Sequence, residues 1–204
     1  MKEYPIPHES IADAKLFYGR EEAMRSLVRA EADSINYLEI GVGIGEFTKQ
    51  VIESFKVDKL FLIDIFDGYQ DFSFKNIEIS KANHKQYVQD KFSDFDPAIY
   101  SGKSETVLPQ ILLENPDIKF DFIYIDADHD FKEFYSDLTW SSILLKDNGI
   151  IGIDDYCFAP KFAPDHDKYQ IIPALGLFLE QNPAWKVCAV ALNNGFTNIF
   201  LQKK

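Results

Sequence analysis

A chain of 204 residues is long enough for one α/β domain with a full core and short for two. An apolar fraction of 46%, with 18 Phe and 10 Tyr, excludes a disordered chain. A net charge of −12 excludes a general nucleic-acid binder, which needs a basic face, and leaves room only for a local basic patch.

The N-terminus, Met1-Lys2-Glu3-Tyr4-Pro5-Ile6-Pro7, has no apolar signal region. Apolar runs elsewhere are strand-sized, below the ~20 residues of a membrane span. The two cysteines, Cys157 and Cys188, make no disulfide framework. A cytoplasmic protein that meets neither membrane nor nucleic acid is expected.

Ser10 resembles a helix cap before Ile11–Phe17, and Ala23, Met24, Leu27 and Val28 have helical spacing. Residues 1–32 are therefore expected to form an N-terminal helical segment. Ile35–Ile40 reads as a buried strand, followed by a glycine turn and a helix carrying Phe47, Val51, Ile52 and Phe55. Leu60–Ile65 is the next strand. Residues 66–96 predict a loop plus a helix around Tyr87, Val88 and Phe92. Ala98–Ser101 is a short strand before a helix with Val107, Leu108, Ile111 and Leu112 on one face. Phe120–Ile125 is a strand, and Phe131, Phe134, Tyr135 and Leu138 form a helical stripe after it. Asn148-Gly149 predicts a turn before the strand Ile150–Ile153. Residues 155–170 predict a lid loop, and Ile171–Leu179 a helix. Lys186–Leu192 and Phe196–Leu201 flank Asn193-Asn194-Gly195, a hairpin signal. Alternating strands and helices imply one α/β domain over 1–204: a doubly wound, mostly parallel, Rossmann-like seven-stranded sheet with an antiparallel C-terminal hairpin. Ligands of such sheets bind beyond the carboxyl ends of the strands.

The first strand runs into Glu39-x-Gly41-x-Gly43-x-Gly45, where glycines permit a tight turn and close backbone approach. A dinucleotide fingerprint needs its third glycine at position 46, which is Glu46. An anionic side chain at a helix start opposes a pyrophosphate. S-adenosylmethionine carries no phosphate and escapes the objection. Glu39 suits the cofactor's ammonium or the ordering of the loop. Asp64 ends the second strand, where an acid accepts from ribose hydroxyls. Gly102, Lys103 and Ser104 follow the third strand and can flank an adenine, although Ser104 equally suits a helix cap.

The strand Phe120–Ile125 ends in Asp126-Ala127-Asp128-His129, and Ile150–Ile153 ends in Asp154-Asp155. Neighbouring strands lie about 4.8 Å apart, so Asp126, Asp154 and Asp155 would converge. Such like charges repel unless a hard divalent cation such as Mg²⁺ joins them. The alternative is that Asp128 or Asp130 caps the next helix while Asp154 and Asp155 face solvent. His129 has the intrinsic pKa for proton transfer near neutrality and is the candidate catalytic base. His8, His84 and His166 lack that context.

On the segments 37–45 and 120–155, the sequence resembles the class I S-adenosylmethionine-dependent methyltransferases. More narrowly it resembles the metal-dependent O-methyltransferases of the catechol and caffeoyl-CoA type, and the bacterial enzymes with an Ile-Asp-(Gly/Ala)-Asp-His segment. The resemblance implies a divalent metal on Asp126, Asp154 and Asp155, and methyl transfer to a hydroxyl oxygen of a small molecule. Asp154-Asp155 departs from the Asp-Asn of the plant and animal enzymes, and His129 stands where they have lysine. The short N-terminal region implies reduced capping helices or a contribution from a second copy of the chain. Aromatics in 66–96 and 156–169 (among them Phe72, Phe74, Phe162 and Tyr169) can line an acceptor pocket or pack loops. The competing readings are a nicotinamide-dependent oxidoreductase and a non-catalytic cofactor-binding protein.

Overall fold

The structure, a computed structural model, describes residues 5–29, 33–71, 77–158, 170–193 and 196–203. In the N-terminal region, α1 (His8–Ile11) is followed by β1 (Lys15–Phe17) and α2 (Arg20–Leu27). Then β2 (Ile35–Ile40), α3 (Glu46–Ser54) and β3 (Val57–Asp64) alternate. A small antiparallel pair, β4 (Tyr69–Asp71) and β5 (Ile77–Ile79), precedes α4 (Lys81–Lys91). After β6 (Ala98–Ser101) come α5 (Ser104–Glu114), β7 (Phe120–Ile125), α6 (Phe131–Leu144) and β8 (Leu145–Phe158). The chain closes with α7 (Ile171–Gln181), β9 (Trp185–Asn193) and β10 (Phe196–Lys203).

The main sheet has the order β1-β9-β10-β8-β7-β2-β3-β6. Every pairing is parallel except those of β10, which lies antiparallel between β8 and β9. Side chains alternate across this sheet. Leu38, Ile40, Ile123 and Ile125 pack towards α5, α6 and α7. Tyr37, Leu62, Phe122 and Tyr124 pack with residues of α2, α3 and α4. Helices cover both faces, which explains why the central strands read as continuous apolar runs.

Two expectations need correction. The stretch Ile11–Phe17 is not a helix. It stops at Ile11, and Lys15–Phe17 pairs in parallel with Ala189–Ala191, giving the sheet an eighth strand. Backbone hydrogen bonds offered by β9 override a weak local helical pattern. The Asn148-Gly149 turn lies inside β8 rather than before it. There Asn148 takes a left-handed φ of 62°, and pairing with β7 jumps from Phe120↔Leu145 to Phe122↔Ile150. The displaced residues bring the Lys146 ammonium to both oxygens of buried Asp121, each at 2.9 Å. Most of the expected lid, 159–169, lies outside the described residues, as do His166, Phe72, Phe74, Phe162 and Tyr169. No helix among the described residues is long and apolar enough to cross a membrane.

One core residue of α6 is a carboxyl. Asp137 is fully buried, and burial pushes its pKa up to about 7, with the Ser104 hydroxyl working the other way. A raised folded-state value stabilises the fold at low pH and withdraws that stability as pH climbs from about 4 to about 7. Asp137→Asn should therefore raise the unfolding midpoint by about 3 °C or more at pH 8 and leave it nearly unchanged at pH 4. Thermal melts across that range check this; an equal shift at both pH values would refute the assignment.

Candidate active site

The carboxyl ends of β2, β3, β6 and β7 open into one cavity of about 1040 Å³. Its walls carry Gly41–Ile44, Asp64, Gly102–Ser104 and Asp126–His129. The volume lies at the upper end for a small-molecule site.

The glycine loop is held from every side. Beyond β2, Gly41 N–H donates to Ile63 O at 2.8 Å, and Asp126 N–H donates to Ile40 O at 2.8 Å. Asp64 accepts from Gly43 N–H at 2.9 Å and from Phe66 N–H at 2.7 Å. The Gly43 carbonyl, which can only accept, bonds His84 Nε2 at 2.7 Å, so that nitrogen carries the hydrogen. Lys91 Nζ donates to Ile44 O at 2.7 Å and to Glu46 at 3.0 Å. Glu46 is thus partnered by Lys91, which moderates the charge that Glu46 presents at the start of α3.

The glycines differ in what they do. A side chain at Gly41 would meet the Asp126 carbonyl oxygen at 2.0 Å, and its φ is +88°. Gly43 faces the cavity beside the Tyr69 ring. Gly45 lies behind the cavity wall, where an added carbon would strike the Phe92 ring at 2.3 Å. Glu39 is also behind the wall: buried, it accepts from Tyr37 Oη at 2.8 Å and from the Thr48 hydroxyl. Burial pushes its carboxyl up to about 7 against those two hydrogen bonds. In this geometry Glu39 orders the junction of β2 and α3. Asp64, Gly102, Lys103 and Ser104 all line the cavity, and α5 begins at Ser104 without a side-chain cap.

The polar run after β7 divides by role. Asp130 caps α6, accepting from the Lys132 and Glu133 amides at 2.9 and 3.1 Å. Asp128 accepts from Asp130 N–H at 3.1 Å and orders the turn. Asp126 and His129 face the cavity. Donor atoms of Asp126, His129 and Asp155 lie within 4.8 Å of one another.

Of the three acids expected to converge, Asp154 lies near the others but is held in an ion pair. It is buried and takes Arg20 at 2.6 Å, the Asn198 amide and Asp155 N–H at 2.9 Å. Arg20 also donates to Tyr124 Oη at 3.1 Å and lies 4.6 Å over the Phe47 ring. Burial, with Asp154 and Asp155 nearby, pushes the Asp126 carboxyl well above the carboxylate range. Asp155, in a left-handed backbone at φ 48°, is pushed by burial and by Asp154 to about 7. Burial lowers the His129 pKa, against the pull of Asp154 and Asp128, so the ring is neutral at pH 7. The fit for a cation is chemical: two carboxyls and a neutral imidazole are oxygen and nitrogen donors for a divalent ion.

Arg20 and His84 are the site-building residues that sequence reasoning missed. Nothing local marks Arg20; its partner is 134 residues away. His84 is defined only by the packing of α4 on the loop. Gly41→Ala should lower the unfolding midpoint by about 5 °C or more, because backbone and not a flexible side chain blocks the new carbon. A melt within about 1 °C of the parent would contradict that packing.

The family model described as a methyltransferase domain matches residues 38–156, which is more than half of the chain. No curated protein matches the sequence. Among solved structures, the chain is similar to the O-methyltransferase from Bacillus cereus in complex with SAH. That pair has a TM-score of 0.62 at 15% identity, over 90% of this chain and 78% of the other. It is similar to the O-methyltransferase TomG from Streptomyces achromogenes in complex with SAM, with a TM-score of 0.60 at 15% identity, over 90% and 77%. A putative rRNA-methylase from Clostridium thermocellum aligns with a TM-score of 0.58 at 14% identity, over 90% and 95%. Identities this low establish a common fold; the family itself is set by the match over 38–156, the span that holds both the glycine loop and the acids. The chain belongs to the methyltransferase-domain family.

Proposed function

We propose that the protein transfers the methyl group of S-adenosylmethionine to a hydroxyl oxygen of a small molecule, with help from a divalent cation. The carrying observation is one continuous cavity that runs from the loop Gly41–Ile44 and Asp64 to Asp126 and His129. Two solved neighbours named O-methyltransferases support the choice of oxygen. The net charge of −12 and the carboxyls of the cavity wall favour a small molecule over a nucleic acid. Position 46, a glutamate where a dinucleotide site needs glycine, argues against a nicotinamide cofactor.

In this reading the loop Gly41–Ile44 packs against the methionyl end of the donor and Asp64 accepts from the ribose hydroxyls. Ile65 and Gly102–Ser104 flank the adenine. The acceptor oxygen attacks the methyl carbon in line with the C–S bond. That bond breaks with its electrons going to sulfur, and the hydroxyl proton leaves. Much of the acceleration is orientation, because the loop is already held before any ligand arrives. The leaving proton and the charge on oxygen fall to Asp126, His129 and Asp155. A cation held there would stabilise the oxyanion and ease loss of the proton. Neutral His129 offers a lone pair at pH 7 rather than a charge.

S-adenosylhomocysteine should stabilise the protein in a thermal shift while NADH does not. Asp64→Ala should weaken that binding about tenfold or more. His129→Ala should cut turnover of an acceptor found with labelled donor at least about a hundredfold while S-adenosylhomocysteine still binds. Stabilisation by NADH alone would sink the transferase reading, and undiminished turnover by His129→Ala would remove that residue from the chemistry.

A further inference from the structure

The acids at the ends of β7 and β8 do not act as one set. Asp154 Oδ1 already accepts from Asn198 and from Asp155 N–H, and Oδ2 accepts from Arg20 at 2.6 Å. A dication bound to the same carboxylate would stand beside the guanidinium, and at that range like charges repel strongly. Arg20 cannot swing away cheaply. Its head is stacked on Phe47 and bonded to Tyr124 Oη, and its side chain is 18% exposed.

The delivery of Arg20 follows from topology. Because β1 runs parallel to β9, its carboxyl end releases Tyr18-Gly19-Arg20 on the ligand side of the sheet. From there the guanidinium reaches β7 at Tyr124 and β8 at Asp154. The donor atoms that remain, on Asp126, His129 and Asp155, lie within 4.8 Å of one another. That is roughly the span of two metal–ligand bonds of 2.0–2.2 Å.

Building on the methyl-transfer reading, we propose that Arg20 withdraws Asp154 from cation binding and leaves Asp126, His129 and Asp155 as the ligands, a set that selects a first-row transition dication over Mg²⁺. Imidazole nitrogen suits the transition ions, whereas Mg²⁺ demands oxygen donors in near-ideal octahedral array. Two carboxylates and one imidazole balance the charge of such an ion. His129 then acts as a ligand rather than as the base.

The test uses the full metal-free chain, titrated calorimetrically with CoCl₂ and with MgCl₂, the Co²⁺ visible spectrum reporting nitrogen ligation. Co²⁺ should bind at least about tenfold more tightly than Mg²⁺. Asp126→Asn and His129→Ala should each weaken Co²⁺ about tenfold or more, with loss of the His-dependent spectrum. Asp154→Asn should weaken Co²⁺ clearly less than Asp126→Asn does and leave the His-dependent spectrum in place. Arg20→Gln should free Asp154 and narrow the preference for Co²⁺ over Mg²⁺. The proposal is overturned by equal losses in Asp154→Asn and Asp126→Asn, by Mg²⁺ binding as tightly as Co²⁺, by an unchanged preference in folded Arg20→Gln, or by no saturable Co²⁺ binding. Where Arg20→Gln does not fold, the comparison of Asp154→Asn with Asp126→Asn decides alone. S-adenosylhomocysteine binding to the same metal-free protein is read separately, so failure of the donor reading is distinguishable from failure of this one.

Discussion

Four carboxyls, those of Glu39, Asp126, Asp154 and Asp155, crowd the ends of three adjacent strands, and one guanidinium stands among them. Taking a charge out of water is costly unless it is paired, and like charges at this spacing raise the cost. The protein meets it in three ways. Asp154 is paired with Arg20. Glu39 is bound by two hydroxyls and sits close to neutrality. Burial and neighbouring acids raise the carboxyl pKa of both Asp126 and Asp155.

The glycine-loop end of the cavity has the opposite character. Its backbone groups are almost all engaged before a ligand arrives. Asp64, His84 and Lys91 pull on the loop from β3 and α4. The glycines allow the close approaches: Gly41 to the backbone of Asp126, Gly45 to Phe92. Under the proposed function, a rigid donor cradle beside an electrostatically unsettled acceptor end is a sensible division for group transfer. The donor must be aimed, while the charge must shift during reaction.

The central sheet was legible because its strands are buried on both faces: 35–40, 98–101 and 120–125 coincide with the observed elements. The strand-end rule then located Gly41, Gly43, Asp64 and Gly102–Ser104 at the cavity. Legibility failed where non-local forces decide. Lys15–Phe17 is a strand only because β9 offers partners. Whether an acid is a ligand or half of an ion pair depends on what approaches from outside its own segment. For Asp154 that is Arg20, and no spacing near residue 154 encodes it. His84 likewise gains its meaning from the Gly43 carbonyl, 41 residues away.

The edge strand β1 carries a kinetic consequence. It joins residues 15–17 to residues 189–191, and the Arg20–Asp154 pair closes a loop almost as long. Contacts of such sequence separation form only after much chain entropy has been surrendered. The Arg20–Asp154 pair thus joins parts of the chain that the assembled sheet brings together. The acidic end of the cavity is therefore a record of whole-chain topology: its Arg20–Asp154 pair spans 134 residues.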